Sequence, residues 1–248
     1  MKYIRAVIRF VLFATATFGL YGLWWAAVFF IPNKQYWRQL IFKWWTLSFI
    51  QIARMRVEVI GTPPKPPFFL VSNHVGYTDI LTLRSAVTGV FVAKHDIGEW
   101  FLAGKIVRDM GNIYIDRTNR RDIPRAGELV IEALNRGEGV IVFPEGTTTK
   151  GDEVLPFNSS FLQFAAQTDL PVSYAAISYR TAKGEGEASK FIAWWDETPF
   201  LTHLFRQLML KEFTAIITFG DEPVSDPDRK ALARQLHDRV AERFIPLI

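Results

Sequence analysis

Short apolar runs recur along the chain after residue 55, and they constrain the fold more than any other feature. Most are rich in β-branched or aromatic residues and end at Gly, Pro or polar positions, which is typical of β-strands. The runs cover 56–60, 68–71, 90–93, 112–115, 139–143, 172–178, 191–194 and 214–219. Helical periodicity lies between them, over 79–87, 123–135, 159–167 and 226–244. The alternation predicts an α/β fold with a mixed, largely buried sheet that is flanked by helices.

Composition narrows the classes of function. The chain has no cysteine, which excludes disulfides, thiolate metal sites and a cysteine nucleophile. Its four histidines lack the spacing of metal ligands and it has no nucleotide-binding motif, so we expect neither a metal nor a resident cofactor. The net charge of +4 is compatible with an anionic lipid surface or a phosphorylated substrate. Nucleic acid is not an expected partner, because no dense basic block alternates with aromatic residues.

The first 55 residues differ from the rest of the chain. Residues 10–31 carry no charge and are long enough to span a bilayer. The next apolar stretch, 36–55, is interrupted by three basic residues and suits a helix in the headgroup region. We therefore predict an N-terminal two-helix membrane anchor over 1–55 and an α/β domain over 56–248.

Several arrangements of this anchor are compatible with the sequence. A single span would put the amino terminus and the α/β domain on opposite faces, whereas a re-entrant or interfacial hairpin would keep the basic residues on one face. Lys and Arg flank both sides of the first segment, so the distribution of basic residues does not decide the topology of the anchor. The hairpin is nevertheless less costly, because it keeps these residues on one face of the membrane. A cleaved signal peptide is disfavoured because the apolar run ends in bulky aromatic residues. A helical pair buried on a soluble core is a further alternative.

Two short motifs about seventy residues apart point to a catalytic site. In the first, Asn73 to Asp79, a histidine is followed by a carboxylate, as a general base and its orienting partner require. Residues five apart on a helix differ by about 140°, so we predict His74 at a strand end and Asp79 in the first turn of the next helix. The second motif, Phe143 to Thr147, places Glu145 in a Pro/Gly turn after a strongly apolar strand.

Four blocks in a fixed order carry a family resemblance. His74 to Asp79 is followed by Gly111 to Arg117, by Phe143 to Thr147, and by a looser match at Leu170 to Ile177. Together they resemble the glycerolipid acyltransferase family, which includes the bacterial 1-acyl-glycerol-3-phosphate acyltransferases. The resemblance covers about Val71 to Ile177. It implies a monotopic anchor and a location at the cytoplasmic face of the bacterial inner membrane.

The resemblance implies transfer of an acyl chain from an acyl thioester, acyl-CoA or acyl-carrier protein, to the hydroxyl of a lysolipid. The expected acceptor is 1-acyl-sn-glycerol 3-phosphate, giving phosphatidate. The chain has neither Cys nor a Gly-x-Ser-x-Gly nucleophile, so direct attack by the acceptor hydroxyl is the simplest route. His74 would remove the hydroxyl proton, and Asp79 would hold the tautomer and stabilise the imidazolium.

The resemblance also implies substrate contacts. Arg117 matches a contact to the acceptor phosphate, and an ion pair with Asp116 or Asp122 is its structural alternative. Glu145 belongs to an acceptor-binding turn, with a helix cap as its alternative. The other candidate substrate-binding residues lie in or beside the same motifs, or where some relatives place a basic contact: Asn73, Lys105, Gly146, Thr147 and Thr148.

Thr148 is a departure from the pattern. Phosphate-accepting relatives commonly carry Arg at this position, and the loss of a bidentate guanidinium weakens the case for a phosphomonoester acceptor. Similar Thr-rich versions occur among relatives that acylate lyso-ornithine lipids, so a lyso-ornithine lipid O-acyltransferase is the alternative. A non-catalytic lipid-binding protein at the membrane surface is a third hypothesis. The sequence does not define the oligomeric state.

Overall fold

A computed structural model describes residues 1–94, 103–115 and 122–247, without the side chains at 94, 103 and 122–124. Seven described strands form one mixed sheet: β1 (Met55–Ile60), β2 (Phe68–Ser72), β3 (Gly89–Lys94), β4 (Ile113–Ile115), β5 (Gly139–Val142), β6 (Val172–Thr181) and β7 (Phe213–Phe219). Their order across the sheet is β1-β7-β6-β2-β5-β3-β4. Neighbouring strands are parallel except β6 and β7, which are antiparallel.

Helices cover both faces of this sheet, because its central strands are apolar on both sides. Every residue of β2 and β5 is buried. The described helices are α1 (Lys2–Ala27), α2 (Lys34–Ala53), α3 (Thr78–Ala86), α4 (Ala103–Asp109), α5 (Asp122–Asn135), α6 (Gln163–Gln167), α7 (Ala188–Phe191), α8 (Phe200–Leu208) and α9 (Arg229–Ala241). Residues of α2, α3 and α8 pack on one face, and residues of α5, α6 and α9 pack on the other. The predicted α/β class with a mixed sheet is confirmed.

The first two helices, α1 and α2, differ from the predicted two-helix membrane anchor. Among the described helices, α1 alone is long and apolar enough to cross a bilayer. The α2 helix instead buries Ile41, Phe42 and Phe49 in the core against the sheet. Its apolar residues are therefore used in packing on the α/β domain, and its basic positions lower its hydropathy.

Both ends of α1 contact the rest of the protein. Near its start, Nη1 of the buried Arg9 donates to the carbonyl of Leu210, at 2.6 Å, just after α8. Near its end, the hydroxyl of Tyr21 donates to Asp109 at the end of α4, also at 2.6 Å. The helix therefore lies along the body instead of pointing away from it.

Local patterns misplaced several elements between residues 159 and 208. The predicted strand at 191–194 is wrong: α7 ends at Phe191, and the backbone N–H of Trp194 donates to the carbonyl of Val75 outside the sheet. The helix predicted at 159–167 divides into a 3₁₀ turn, Ser159–Leu162, and α6. Within this stretch α8 was not predicted, although it is amphipathic, with Leu204 and Leu208 buried and Leu201 exposed. Outside the stretch α4 was not predicted either, because a helix of seven residues gives little periodicity to recognise.

Candidate active site

The candidate catalytic pair, His74 and Asp79, lies where β2 ends at the carboxyl edge of the parallel strands. His74 follows this strand, and Asp79 lies in the first turn of α3, as predicted. Nδ1 of His74 lies 2.7 Å from Oδ2 of Asp79. The same oxygen accepts from the backbone N–H groups of Val75, at 2.7 Å, and Gly76, at 3.1 Å. The predicted contact between the two side chains is confirmed.

This contact defines the roles of the two ring nitrogens. An ionised carboxylate can only accept hydrogen bonds, so the proton of a neutral His74 sits on Nδ1 and Nε2 is left as a proton acceptor. The Asp79 side chain is wholly buried, whereas that of His74 is 20% exposed. A buried orienting carboxylate with a partly accessible imidazole is the arrangement that general-base catalysis requires.

Tyr179, on β6, completes the hydrogen bonding of Asp79. Its buried hydroxyl donates to Oδ1 of Asp79 at 2.7 Å and lies 2.9 Å from the hydroxyl of Thr82. Burial raises the pKa of Tyr179 well above its usual value, so the phenol stays protonated and can donate. Tyr179 was not predicted as a site residue, because no local signal relates a strand tyrosine to a carboxylate a hundred positions away.

The neighbouring strand β5 brings the second motif to His74. The ring of Phe143 stacks on the imidazole with centroids 4.0 Å apart and an interplanar angle of 9°. Adjacent parallel strands end at the same edge of a sheet, so the residues that follow β2 and β5 meet there. Stacking on a ring held by the core restricts the orientation of the imidazole.

The carboxyl group of Glu145 is turned toward the protein's own backbone. Oε1 accepts from the N–H of His74 at 2.6 Å, and Oε2 accepts from the N–H of Leu155 at 2.9 Å. Burial raises the pKa of Glu145 to about 8, the two N–H groups oppose the shift, and the charge of Asp79 adds to it. Glu145 therefore links the backbone at Leu155 to the backbone at His74. Neither hydrogen bond caps a helix, which was the structural alternative for this residue.

Residues after Glu145 connect the motif to the segment that follows α7. Gly146 has a φ of 78°, which turns the chain, and Thr147 is exposed. The hydroxyl of Thr148 donates to the carbonyl of Trp194 at 2.6 Å. The backbone of Trp194 also contacts Val75, so the loop at 146–148 and the catalytic loop share one support.

The side chains of Asn73 and Lys105 form hydrogen bonds with other residues of the protein. The buried amide of Asn73 donates to the carbonyl of Ile177 at 2.9 Å and accepts from its N–H at 2.7 Å, which binds the end of β2 to β6. Lys105 pairs with Asp109 at 3.0 Å, and this hydrogen bond raises the pKa of the lysine. The structure gives Lys105 no contact with the catalytic pair. Arg117 lies outside the described residues.

Comparison with known proteins assigns the chain to a family. Residues 55–178 match the sequence model of the family described as Acyltransferase. The chain belongs to the acyltransferase family. In this acyltransferase the candidate catalytic pair and Glu145 lie within the matched range, whereas Tyr179 and Trp194 lie beyond it. It is an enzyme of the class that the sequence analysis predicted.

Relatives of this acyltransferase include enzymes named for different lysolipid acceptors. It is 31% identical over 204 residues to a lyso-ornithine lipid O-acyltransferase of Pseudomonas aeruginosa, covering 82% of this chain and 78% of that protein. It is 30% identical over 187 residues to a 1-acyl-sn-glycerol-3-phosphate acyltransferase of Neisseria gonorrhoeae, covering 73% and 72%. The crystal structure of the 1-acyl-sn-glycerophosphate acyltransferase PlsC of Thermotoga maritima matches with a TM-score of 0.68 at 22% identity, over 98% of this chain and 97% of that one. This likeness supports the fold.

Proposed function

We propose that this acyltransferase transfers a fatty acyl chain from an acyl thioester to the free hydroxyl of a lysolipid. The observation that carries the proposal is the bond between His74 and Asp79, which leaves Nε2 of a partly exposed imidazole as a base. Nε2 takes the hydroxyl proton while the oxygen attacks the thioester carbonyl. The tetrahedral intermediate then collapses, the ester forms, and the leaving thiolate takes the proton from the imidazolium. General-base help of this kind contributes about a hundred- to ten-thousandfold.

Acyl-CoA and acyl-carrier protein are the proposed donors, as co-substrates of the reaction. A direct transfer has no acyl-enzyme intermediate, which fits a chain without cysteine. Asp79 would compensate the positive charge of the imidazolium, and Tyr179 and two backbone N–H groups hold that carboxylate in place.

Lyso-ornithine lipid is one of two candidate acceptors. Its support is Thr148, whose hydroxyl is engaged by Trp194, at the position where phosphate-accepting relatives commonly carry a guanidinium. The relative from Pseudomonas aeruginosa points the same way. The second candidate, 1-acyl-sn-glycerol 3-phosphate, is supported by the Neisseria gonorrhoeae relative and by Arg117 and Lys150, which could supply charge for a phosphate.

For the membrane, we propose that α1 lies in the interface at the cytoplasmic face of the bacterial inner membrane. Both of its ends contact the body, which supports an interfacial helix over a single span. Apart from Lys2 and Thr15, its exposed residues are mainly apolar. The exposed apolar residues include Ile4, Val7, Ile8, Val11, Leu12, Phe18, Leu23 and Trp25.

The test is acyl transfer by the purified protein to each acceptor from one acyl donor, with His74→Ala beside the parent. We expect His74→Ala to lose at least a hundredfold in rate and to keep its fold. His237→Ala is the matched control, because this histidine on α9 contacts Asp238 and the carbonyl of Val154, away from the catalytic pair. Activity retained by His74→Ala, or absent from the parent on every lysolipid, would refute the proposal.

A further inference from the structure

Four arginines surround an open cleft beside the edge strand β4. Arg38 comes from α2, Arg108 from α4, Arg125 from α5, and Arg136 directly follows α5. The cleft has a volume of about 380 Å³, enough for a small charged group. We call this feature the arginine cleft. The acyl transfer chemistry derived above does not use it.

Positive charge exceeds negative charge in the arginine cleft. Glu138 lies beneath it, buried, and pairs with Arg38 and with Arg136. Glu132 lies 3.6 Å from Arg136. Among the described residues these two carboxylates pair with Arg38 and Arg136, so the charge of Arg108 is left without a described carboxylate partner.

Arg108 keeps capacity for a ligand. Its guanidinium lies over the ring of Tyr114, 5.8 Å from its centroid, and it has no carboxylate partner among the described residues. Guanidinium groups bind phosphate oxygens well, because their N–H donors form a planar fork.

The turn between α1 and α2 lies next to the arginine cleft. The side chain of Gln35 donates to the carbonyl of Arg136 at 3.2 Å, and Tyr21 contacts Asp109, which is adjacent to Arg108. Within the turn, Phe29 and Phe30 are 72% and 85% exposed. Exposed aromatic side chains next to arginines are typical of a membrane interface, where rings enter the acyl boundary and cations meet the phosphates.

We propose that the arginine cleft binds the phosphate of an anionic phospholipid headgroup. The inference goes beyond the proposed function, because this binding requires no acyl transfer. The position of the cleft favours a lipid over a soluble phosphate-bearing donor. Glu138 directly precedes β5, at the amino edge of the parallel strands, whereas His74 follows β2 at the carboxyl edge. An acyl donor that bound in the arginine cleft would therefore lie at the edge of the sheet opposite His74.

The experiment measures lipid binding to the full chain in neutral-detergent micelles. Micelles are doped with phosphatidylglycerol or phosphatidylcholine that carries a fluorophore on one acyl chain, and energy transfer from tryptophan reports binding. We expect a preference for phosphatidylglycerol that weakens with added salt, and a loss of about fivefold in Arg108→Gln. Binding of phosphatidylcholine should not change. Arg125→Gln serves as a second variant if Arg108→Gln does not fold.

Arg234→Gln is the matched control, because it removes the same charge from an exposed position on α9, which packs near β6. It should bind phosphatidylglycerol like the parent. Equal losses in Arg108→Gln and Arg234→Gln would show a diffuse effect of charge and overturn the site. Unchanged lipid binding in Arg108→Gln, with or without weaker binding of CoA or inorganic phosphate, would overturn the assignment to a headgroup.

Discussion

The hydroxyl of Tyr179 donates a hydrogen bond of 2.7 Å to Oδ1 of Asp79, the carboxylate oxygen that His74 does not use. Asp79 thus receives a donor on each oxygen and has no contact with solvent. Hydrogen bonds to a buried charge are stronger than those between neutral groups. Tyr179 is therefore a positioning residue, which acts on the base through the carboxylate.

We predict that Tyr179→Phe lowers kcat about tenfold and changes KM little, because the substrate contacts are unaffected while the carboxylate that orients His74 loses a donor. The variant should also lose about 2 kcal/mol of stability. Steady-state kinetics and thermal unfolding measure the two effects. Tyr174→Phe is the control: Tyr174 is equally buried on β6, but its hydroxyl accepts from Arg239 at 3.3 Å. Equal kinetics in the two variants would contradict the positioning role.

Sequence distance decided which parts of the site were predictable. His74 and Asp79 lie five residues apart, so the geometry of one strand end and one helix turn was enough to predict their contact. The contact of Tyr179 with Asp79 depends on the pairing of β6 with β2. The contact of Thr148 with Trp194 depends on the path of the chain after α7. No local sequence pattern predicts either of them. Glu145 was correctly assigned to a turn, but the direction of its carboxyl group depends on packing.

The fold was likewise predictable where local sequence determines it and less so where distant contacts do. Strands with β-branched residues on both faces were predicted within a residue or two, except for β6, which extends to Thr181, and the wrong strand at 191–194. The apolar stretch of α2 indicated a membrane helix because burial in a core and burial in lipid select the same residues. The described contacts of Ile41 and Phe49 with the core are what separates the two.

The titration of Glu145 should be visible in stability. Its pKa is raised to about 8 from 4.5, so the folded protein holds this proton more tightly than the unfolded chain. Its contribution to the free energy of unfolding is largest below pH 4.5 and is lost as pH rises to about 8, by at most about 1.4 kcal/mol per pH unit.

Glu145→Gln removes this proton, so the stability of the parent relative to Glu145→Gln should decline as pH rises through this range. Thermal unfolding at a series of pH values measures the difference. Glu153→Gln is the control, since it makes the same change at an exposed position and should follow the profile of the parent. Parallel profiles for the parent and Glu145→Gln would refute the effect of burial on Glu145.

Thr148 should control the choice of acceptor. Thr148→Arg introduces a guanidinium beside the catalytic loop, and we predict that the ratio of kcat/KM for lysophosphatidate over lyso-ornithine lipid rises about tenfold. Thr148→Val loses only the bond to Trp194 and should lower both activities without changing their ratio. Thr148→Ser keeps the hydroxyl and should resemble the parent. A ratio that Thr148→Arg leaves unchanged would exclude this position from acceptor selection.

Gly111 of the second motif supports the docking of α2. Its φ is 83°, and an added Cβ would collide with the guanidinium of Arg38, which pairs with the buried Glu138. Gly137 has a φ of 77° and open space around the Cβ position, so Gly137→Ala isolates the backbone strain. We predict losses of about 1 kcal/mol for Gly137→Ala and about 3 kcal/mol or more for Gly111→Ala, measured by thermal unfolding. Equal losses would mean that Arg38 moves aside freely and that its ion pair contributes little to holding α2 on the sheet.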